Sequence, residues 1–188
     1  MSLSPEDKKT LVKLARNSIS LYFKNQETEK PNFIERYGVF VNIEKGNNLR
    51  GSIGFPDPIM PLAQAVSDGA RCAAFLDPKF QPLKENELNE VTFQVSFLTK
   101  PRPIKELKEI QIGKQGIVVE YAGYKGMMLP HEFPKNVNLE AALSLVCEKA
   151  GLPNDFWKEP CCKISIFDSE IYKEVAPNGD IIQINSGN

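Results

Sequence analysis

The residue types best suited to chemistry lie together in a glycine-rich stretch, residues 49–58, which reads Leu-Arg-Gly-Ser-Ile-Gly-Phe-Pro-Asp-Pro. Glycines inside a strand usually mark a bulge, or a place where a ligand or another backbone comes close. They also leave backbone N–H groups open to an anion. Arg50 adds a planar guanidinium that suits phosphate or carboxylate, and Ser52 adds a hydroxyl. The ligand-binding residues predicted in this stretch are Arg50, Gly51, Ile53 and Gly54.

The same stretch also has a purely structural interpretation. It would then be a barrel-like corner in which Arg50 pairs with an acidic side chain, and residue types alone leave both interpretations open. The spacing matches neither the phosphate-binding loop, Gly-x-x-x-x-Gly-Lys, nor the dinucleotide fingerprint, Gly-x-Gly-x-x-Gly. Nucleotide binding through either of these motifs is therefore not predicted.

Three further side chains are candidates for the site. Asp77 would either accept a hydrogen bond from Arg50 or cap the turn that follows it, and local chemistry favours the cap. Phe80, three residues later, is a candidate ligand contact. His131, the only histidine, has an ordinary pKa near neutral and would serve as a general base, although a lone loop histidine is more often plain surface. The predicted catalytic residues are Ser52, which would orient the ligand, and His131, which would move a proton.

The composition is that of a soluble globular protein. The chain has 188 residues, 25% of them charged and 41% hydrophobic, with a formal net charge of −1. This balance disfavours binding to nucleic acid, because nucleic-acid-binding domains are usually basic. No apolar run approaches the roughly 20 residues of a membrane span. The first residues lack a basic and an apolar region of the kind found in signal peptides, so we predict a cytoplasmic protein with no membrane association.

The four cysteines do not form a metal-binding pattern. None of them is in a Cys-x-x-Cys motif, and together with the only histidine they do not show the spacing of four zinc ligands. We therefore predict no metal and no cofactor. Cys72 and Cys147 lie in apolar helical patterns, where a buried inert thiol is expected. A disulfide from Cys147 to Cys161 or Cys162 remains open.

The periodicity of the chain predicts an α+β fold with mainly antiparallel sheets and flanking helices. Helices are expected from a Ser4 cap to Tyr22, over 62–75 behind Pro61, and from an Asn138 cap to Ala150. Strict alternation predicts a strand over 91–97, and hairpins are expected over 38–55, 117–129 and 171–184, with a further strand over 163–167. Because tight turns join most neighbouring strands, a doubly wound nucleotide-binding fold is excluded.

The chain resembles the AMMECR family in five stretches, which occur in the family's order and span nearly the whole sequence. They are Gly-Val-Phe-Val (38–41), Leu-Arg-Gly-Ser-Ile-Gly (49–54), Asp-Pro-Lys-Phe with Pro-Leu (77–83), Val-Ser-Phe-Leu-Thr (95–99) and Lys-Ala-Gly-Leu-Pro before Trp157. The family usually has cysteine at the position of Ser52, and it commonly has glutamine at the position of His131. Because an unactivated serine is a far weaker nucleophile than a thiolate, a nucleophilic role at this position would not survive the change.

The resemblance implies a single domain over residues 1–188, with a larger and a smaller lobe and a cleft between them near residues 49–54. It also implies association in prokaryotes with a Memo-like protein and a radical S-adenosylmethionine protein. No activity is settled for the family, so three functions stay open. The first is an enzyme, or an enzyme subunit, acting on a small anionic or nucleotide-like ligand. The second is a non-catalytic module that binds those partners. The third is RNA handling by stacking on Trp157 or Phe80, which the net charge disfavours.

Overall fold

The computed structural model describes residues 3–33 and 35–184. Met1 and Ser2, part of the N-terminal segment considered above for a signal peptide, lie outside the described residues. The helices are α1 (Pro5–Phe23), α2 (Leu62–Phe75) and α3 (Leu139–Lys149), with 3-10 turns at Glu85–Asn89, Leu107–Glu109, Pro130–Glu132 and Phe156–Lys158. The strands are β1 (Gly38–Lys45), β2 (Asn48–Phe55), β3 (Val91–Leu98), β4 (Arg102–Pro103), β5 (Gln115–Tyr121), β6 (Tyr124–Met128), β7 (Lys163–Glu174) and β8 (Ile181–Ile184).

The described chain forms two compact units. The first comprises residues 3–33, 35–98 and 170–184, and the second comprises residues 99–169. Each has a hydrophobic core of its own. The predicted α+β class with antiparallel strands is confirmed, and the cleft between two lobes stays a prediction. No helix in the described part of the chain is long and apolar enough to cross a bilayer.

Helix α1 begins where its capping sequence predicts. The Ser4 hydroxyl accepts a hydrogen bond from the Asp7 N–H at 3.1 Å, and the Asp7 carboxylate accepts one from the Ser4 N–H at 3.0 Å. This reciprocal pair satisfies two N–H groups that the helix itself leaves without a partner. Pro5 occupies the first helical position, where its missing N–H does no harm.

The first unit is built on three antiparallel strands in the order β2-β1-β3. Alternation along β1 puts Val39, Val41 and Ile43 on one face, and all three are fully buried. Their partners on β3, which are Phe93, Val95 and Phe97, are buried beside them. Helices α1 and α2 supply most of the rest of this core, and β7 and β8 add Tyr172 and Ile181. The even-numbered residues of β1 therefore point to the opposite face of the sheet, which we call the second face.

The second unit pairs β5 with β6 and with the first half of β7. Its core includes side chains of both β5 and α3. Asn138 caps α3 by accepting a hydrogen bond from the Ala141 N–H at 2.8 Å, as predicted. The hairpin turn lies at Ala122 and Gly123, which both have positive φ, whereas the sequence pattern placed it over 123–126.

Strand β7 corrects one expectation. The sequence pattern indicated separate strands over 163–167 and 171–175, because the polar run Asp-Ser-Glu at 168–170 interrupts the apolar alternation. A single 12-residue strand runs through this point. Its first half pairs with β5 in the second unit, and its last residues pair with β8 in the first unit. Backbone pairing on both sides of the polar run keeps the strand extended, which residue types alone do not reveal.

Candidate functional site

Arg50 occupies a β-bulge at the start of the glycine-rich strand. The register of β1 with β2 pairs Ile43 with Gly51 and then Glu44 with Leu49, so Arg50 is the extra residue. A bulge turns the side chain of the extra residue away from the regular alternation. The glycine pattern predicted a bulge or a close approach, and the bulge is present.

The Arg50 guanidinium is fully engaged inside the first unit. Its Nε and Nη2 donate to the two carboxylate oxygens of Glu87, both at 3.0 Å. Nη1 donates to the Gln81 carbonyl at 2.8 Å, and Nη2 also contacts the Pro82 carbonyl at 3.4 Å. The hydrogen bond from Arg50 lowers the pKa of Glu87 below its ordinary value. Pairing of Arg50 with an acid, the structural alternative, is therefore present, and any anion at Arg50 has to compete with Glu87.

Gly51 is required by a close approach of two backbones. A Cβ atom added to Gly51 would lie 2.1 Å from the carbonyl oxygen of Ala73 in α2. Real Cβ atoms do not come so near a backbone oxygen, so only glycine permits α2 to pack on β2 at this point. The second observation that the glycine pattern predicted, a close neighbouring backbone, is thus also present.

Asp77 holds the backbone of the site. Its carboxylate accepts a hydrogen bond from the Ser52 N–H at 2.8 Å and another from the Lys79 N–H at 3.0 Å. The bond to Lys79 is the turn cap that local chemistry favours. The alternative contact between Asp77 and Arg50 is wrong, because Glu87 fills that place. Glu87 lies in the 3-10 turn Glu85–Asn89, which sequence analysis missed.

The Ser52 hydroxyl belongs to a polar row on the second face. It donates to Asn42 Oδ1 at 2.7 Å. The register pairs Asn42 with Ser52 on one side and with Gln94 on the other. Ser52, Asn42 and Gln94 therefore form one row across three neighbouring strands. Sequence analysis missed Asn42 and Gln94, although polar residues at alternate positions of otherwise apolar strands were the available signal.

A neighbouring row on the same face contains Gly54, Phe40 and Ser96. A Cβ on Gly54 would lie 2.2 Å from the Phe40 ring, so the ring lies directly over Gly54. The hydroxyl of Ser96 is enclosed and has no hydrogen-bond partner in the part of the chain that the structure describes. The two rows together give the second face a mixed polar and aromatic character.

The remaining predicted residues lie in different parts of the chain. Ile53 pairs with Val41, and Phe80 is half-buried with its N–H donating to the Asp77 carbonyl at 3.2 Å. His131 lies in the second unit, in the turn Pro130–Glu132, with an exposed edge. Atoms packed around the rest of its ring lower its pKa below the ordinary value. Its catalytic role stays a prediction.

The cysteines are free thiols, so the disulfide left open above is absent from this structure. Cys147 is buried in the second unit's core, and Cys162 packs against the same core. Burial has the largest effect on the pKa of Cys162, and together with the nearby Cys147 and Cys161 it raises this pKa to about 11. Burial also raises the pKa of Cys147, so Cys147 and Cys162 stay protonated at neutral pH and are poor nucleophiles. Trp157 also packs against this core.

One open cavity of about 830 Å³ lies elsewhere in the first unit, between α1 and the turn before β8. Its lining includes Lys9, Lys13 and Asp180, and it contains none of the residues that the sequence singled out. Within residues 3–33 and 35–184, no three potential metal-ligating side chains of the histidine, cysteine and carboxylate types come together.

The fold and the glycine-rich strand define an α+β protein in which helices cover antiparallel sheets. A family model described as AMMECR1 matches residues 12–172, and the chain belongs to this family. A protein of Thermofilum pendens is 37% identical over 204 residues, covering 96% of both chains. Protein Ta0236 of Thermoplasma acidophilum is 39% identical over 180 residues, covering 89% of this chain and 87% of its own. The crystal structure of the uncharacterized protein PH0010 from Pyrococcus horikoshii superposes with a TM-score of 0.85 at 36% identity, covering 94% of this chain and 96% of that one.

Proposed function

We propose that the first unit binds a small polar molecule on the second face of its sheet, in direct contact with the Ser52 hydroxyl. The observation that carries this proposal is the double support of Ser52. Its N–H is fixed by the Asp77 carboxylate and its hydroxyl by Asn42. A polar group whose position is fixed before binding loses little freedom when a ligand arrives.

Ser52 acts in this proposal by binding and orienting, not as a nucleophile. Its proton is directed at the amide oxygen of Asn42, which is too weak a base to remove it. The hydroxyl oxygen keeps its lone pairs for a ligand donor, and the Asn42 amide nitrogen makes no hydrogen bond to the described residues, so it can donate to a ligand acceptor. His131 would move a proton only if chemistry follows binding.

The other predicted residues take supporting roles. Arg50 and Asp77 position the strand, and Gly51 permits the close packing of α2. In an antiparallel pair successive N–H groups of a strand point in opposite directions. The Ile53 N–H therefore points towards β1, whereas the N–H groups of Gly54 and Ser52 point away from β1. A small anionic or nucleotide-like ligand remains within the proposal, with Gly54 and Ser52 rather than Arg50 as its expected contacts. Phe80 is kept as an apolar contact near the Asp77 turn.

Thermal unfolding against a metabolite panel tests the proposal. The panel contains nucleotides, S-adenosylmethionine, phosphorylated sugars and dicarboxylates. A ligand present at 100 times its Kd stabilises the protein by about 2.7 kcal/mol, which raises Tm by roughly 5–10 °C at this size. We expect Ser52→Ala to abolish the shift. Ser144→Ala is the matched control, because the Ser144 hydroxyl bonds only to a backbone carbonyl on α3. A ligand whose shift survives Ser52→Ala binds elsewhere and contradicts the proposal.

A second candidate is a partner-binding module, with a Memo-like protein or a radical S-adenosylmethionine protein as partner in the cytoplasm. It is favoured by two exposed leucines: Leu49, 46% exposed, precedes the bulge, and Leu76, 70% exposed, follows α2. Exposed apolar side chains on the elements that carry the site are suited to a protein interface. Co-elution of the purified proteins tests it. We expect Leu49→Gln with Leu76→Gln to weaken the complex, and Ile182→Gln, 49% exposed on β8, to leave it intact. No complex at micromolar concentrations rejects this candidate.

A further inference from the structure

We infer that Gln94 contacts the ligand, and that the ligand presents a planar, uncharged edge with both a hydrogen-bond donor and an acceptor, as a nucleobase does. This inference rests on the proposed function, because Gln94 lies in the same row as Ser52. The inference adds Gln94 as the residue that selects the ligand, and it adds the chemical class of that ligand.

The first observation is a buried amide with no partner. Gln94 is only 6% exposed, and its side chain makes no hydrogen bond to any residue within 3–33 or 35–184. Buried polar side chains nearly always have a partner, so an unpaired one needs an explanation. Its amide atoms keep some access to solvent, unlike the enclosed Ser96 hydroxyl. A ligand can therefore supply the missing hydrogen bonds.

The register gives the geometry of the site. Ser52 and Gln94 flank Asn42 on neighbouring strands and share one face. The Ser52 N–H points away from β1 and donates to Asp77, so Asn42 and Ser52 form a pair without ladder hydrogen bonds, and their Cα atoms lie about 4.5 Å apart. Asn42 and Gln94 then form a hydrogen-bonded pair, with Cα atoms about 5.5 Å apart. The row therefore spans roughly 10 Å. One planar molecule of modest size can reach all three side chains.

The charged groups around the row are already engaged by other groups of the protein. Glu44, the next residue on the same face of β1, forms an ion pair with Lys173. Arg50 is held by Glu87, and the Asp77 carboxylate accepts two backbone N–H groups. The groups left to bind a ligand are two amides and a hydroxyl, which are neutral. A charged ligand group would have to displace one of these contacts, so an uncharged edge is favoured.

Two amides and a hydroxyl can satisfy a heterocyclic edge. A carboxamide offers a donor and an acceptor side by side, which is how Asn and Gln pair with adenine in nucleic-acid recognition. The Phe40 ring in the next row adds an aromatic surface beside the amides. This combination of paired donor and acceptor groups with an aromatic neighbour favours a nucleobase over a sugar or a dicarboxylate.

Isothermal titration of the full chain tests the inference. The probes are adenine, guanine, cytosine and uracil, their nucleosides, the matching 5′-monophosphates and inorganic phosphate. We expect at least one base and its nucleoside to bind, with the monophosphate no tighter than the nucleoside. Gln94→Met should weaken that binding roughly 5- to 150-fold, the worth of one bidentate amide pair. Gln111→Met, at an exposed position of the second unit, is the matched control.

The outcomes separate this inference from the proposed function. If Ser52→Ala weakens a ligand but Gln94→Met does not, the role of Gln94 is overturned and the proposed function stands. If no base or nucleoside binds at millimolar concentration, or phosphate alone accounts for binding, the ligand class is overturned. If a base binds and neither substitution matters, both are overturned. Should Gln94→Met fail to fold, Gln94→Asn keeps the amide but withdraws it by one methylene group, and it is expected to weaken binding of the same bases without adding a buried charge.

Discussion

Arg16 of α1 and Glu174 of β7 form a buried two-point ion pair in the first unit. The Nε and Nη2 atoms of Arg16 each lie 2.6 Å from a different carboxylate oxygen of Glu174. Arg16 also donates to the Leu88 and Val91 carbonyls, and the Glu174 carboxylate accepts the Phe93 N–H at 2.9 Å. Both charges are therefore compensated and fully hydrogen-bonded, although they lie away from water.

Removing one partner of this pair should be among the most damaging single changes. Arg16→Met leaves the Glu174 carboxylate buried without its counter-charge, and we expect the free energy of unfolding to fall by about 3–5 kcal/mol. Urea denaturation at neutral pH measures this. The double variant Arg16→Met with Glu174→Leu removes both charges and should recover most of the loss. A loss below about 1 kcal/mol for Arg16→Met would show that water reaches Glu174 in solution.

Much of the first unit follows from local patterns in the sequence. The Ser4 cap, the Pro61 boundary of α2 and the alternation of Val39, Val41 and Ile43 each predict an element that is present. These signals are short-range, so one sequence contains them fully. The Arg16–Glu174 pair joins residues 158 positions apart. Nothing in the local pattern of either residue specifies the other, because long-range pairing is decided by tertiary packing.

The Arg50–Glu87 pair predicts a dependence of stability on acid. The Arg50 hydrogen bond lowers the pKa of Glu87 below its ordinary 4.5. The folded protein therefore binds this proton less readily than the unfolded chain, and the stabilisation is present above pH 4.5 and is lost as the pH falls through the lowered pKa. Glu87→Gln should reduce the free energy of unfolding at pH 7 by about 1–2 kcal/mol and remove this part of the acid dependence.

Glu90→Gln is the control for this measurement. Glu90 is about half exposed and pairs with Lys45 at the surface. Exposed ion pairs contribute little, so we expect a change within about 0.5 kcal/mol at pH 7. Chemical denaturation between pH 2 and pH 7 compares the three proteins. Equal acid dependence in the wild type and Glu87→Gln would mean that Arg50 does not hold Glu87 in solution and is free for another anion.

The packing role of Gly51 is separable from any role in binding. Gly51→Ala places a methyl group against the Ala73 carbonyl, so β2 and α2 must move apart. We expect a loss of about 1–3 kcal/mol, as for other insertions into packed regions. Thermal unfolding without ligand measures it, and Ser52→Ala, which adds no atoms at the next position, is the control. If Gly51→Ala is as stable as the wild type, Gly51 is not needed for packing, and contact with a ligand becomes the reason for a glycine at this position.

The candidate site was only partly predictable, for a physical reason that Ser52 illustrates. The glycine-rich strand could be recognised in the sequence because its residue types are unusual inside a strand. Its partners Asn42 and Gln94 are ordinary polar residues, and only the register of three strands puts them in one row with Ser52. Glu87 was likewise hidden in a 3-10 turn that has no strong sequence signal. Residue types identify candidate site residues, whereas the hydrogen-bond partners of those residues depend on how the strands pair.

Two fully buried serines of the first unit should respond in opposite ways to the loss of their hydroxyls. Ser18 and Ser96 are each 1% exposed. The Ser18 hydroxyl donates to the Leu14 carbonyl at 2.7 Å and lies 2.9 Å from the Ser67 hydroxyl, whereas the Ser96 hydroxyl has no partner among the described residues. A satisfied hydroxyl contributes about 1 kcal/mol, and an unsatisfied buried one costs about 1–3 kcal/mol.

We therefore expect Ser18→Ala to lower the free energy of unfolding by about 1 kcal/mol, and Ser96→Ala to leave it unchanged or raise it by about 1 kcal/mol. The two variants remove the same atom at the same burial, so each is the control for the other. Urea denaturation of both, with and without a bound ligand, also bears on the second face, where Ser96 lies one row from Gln94. A destabilised Ser96→Ala would mean that a water molecule or a ligand already satisfies this hydroxyl in solution.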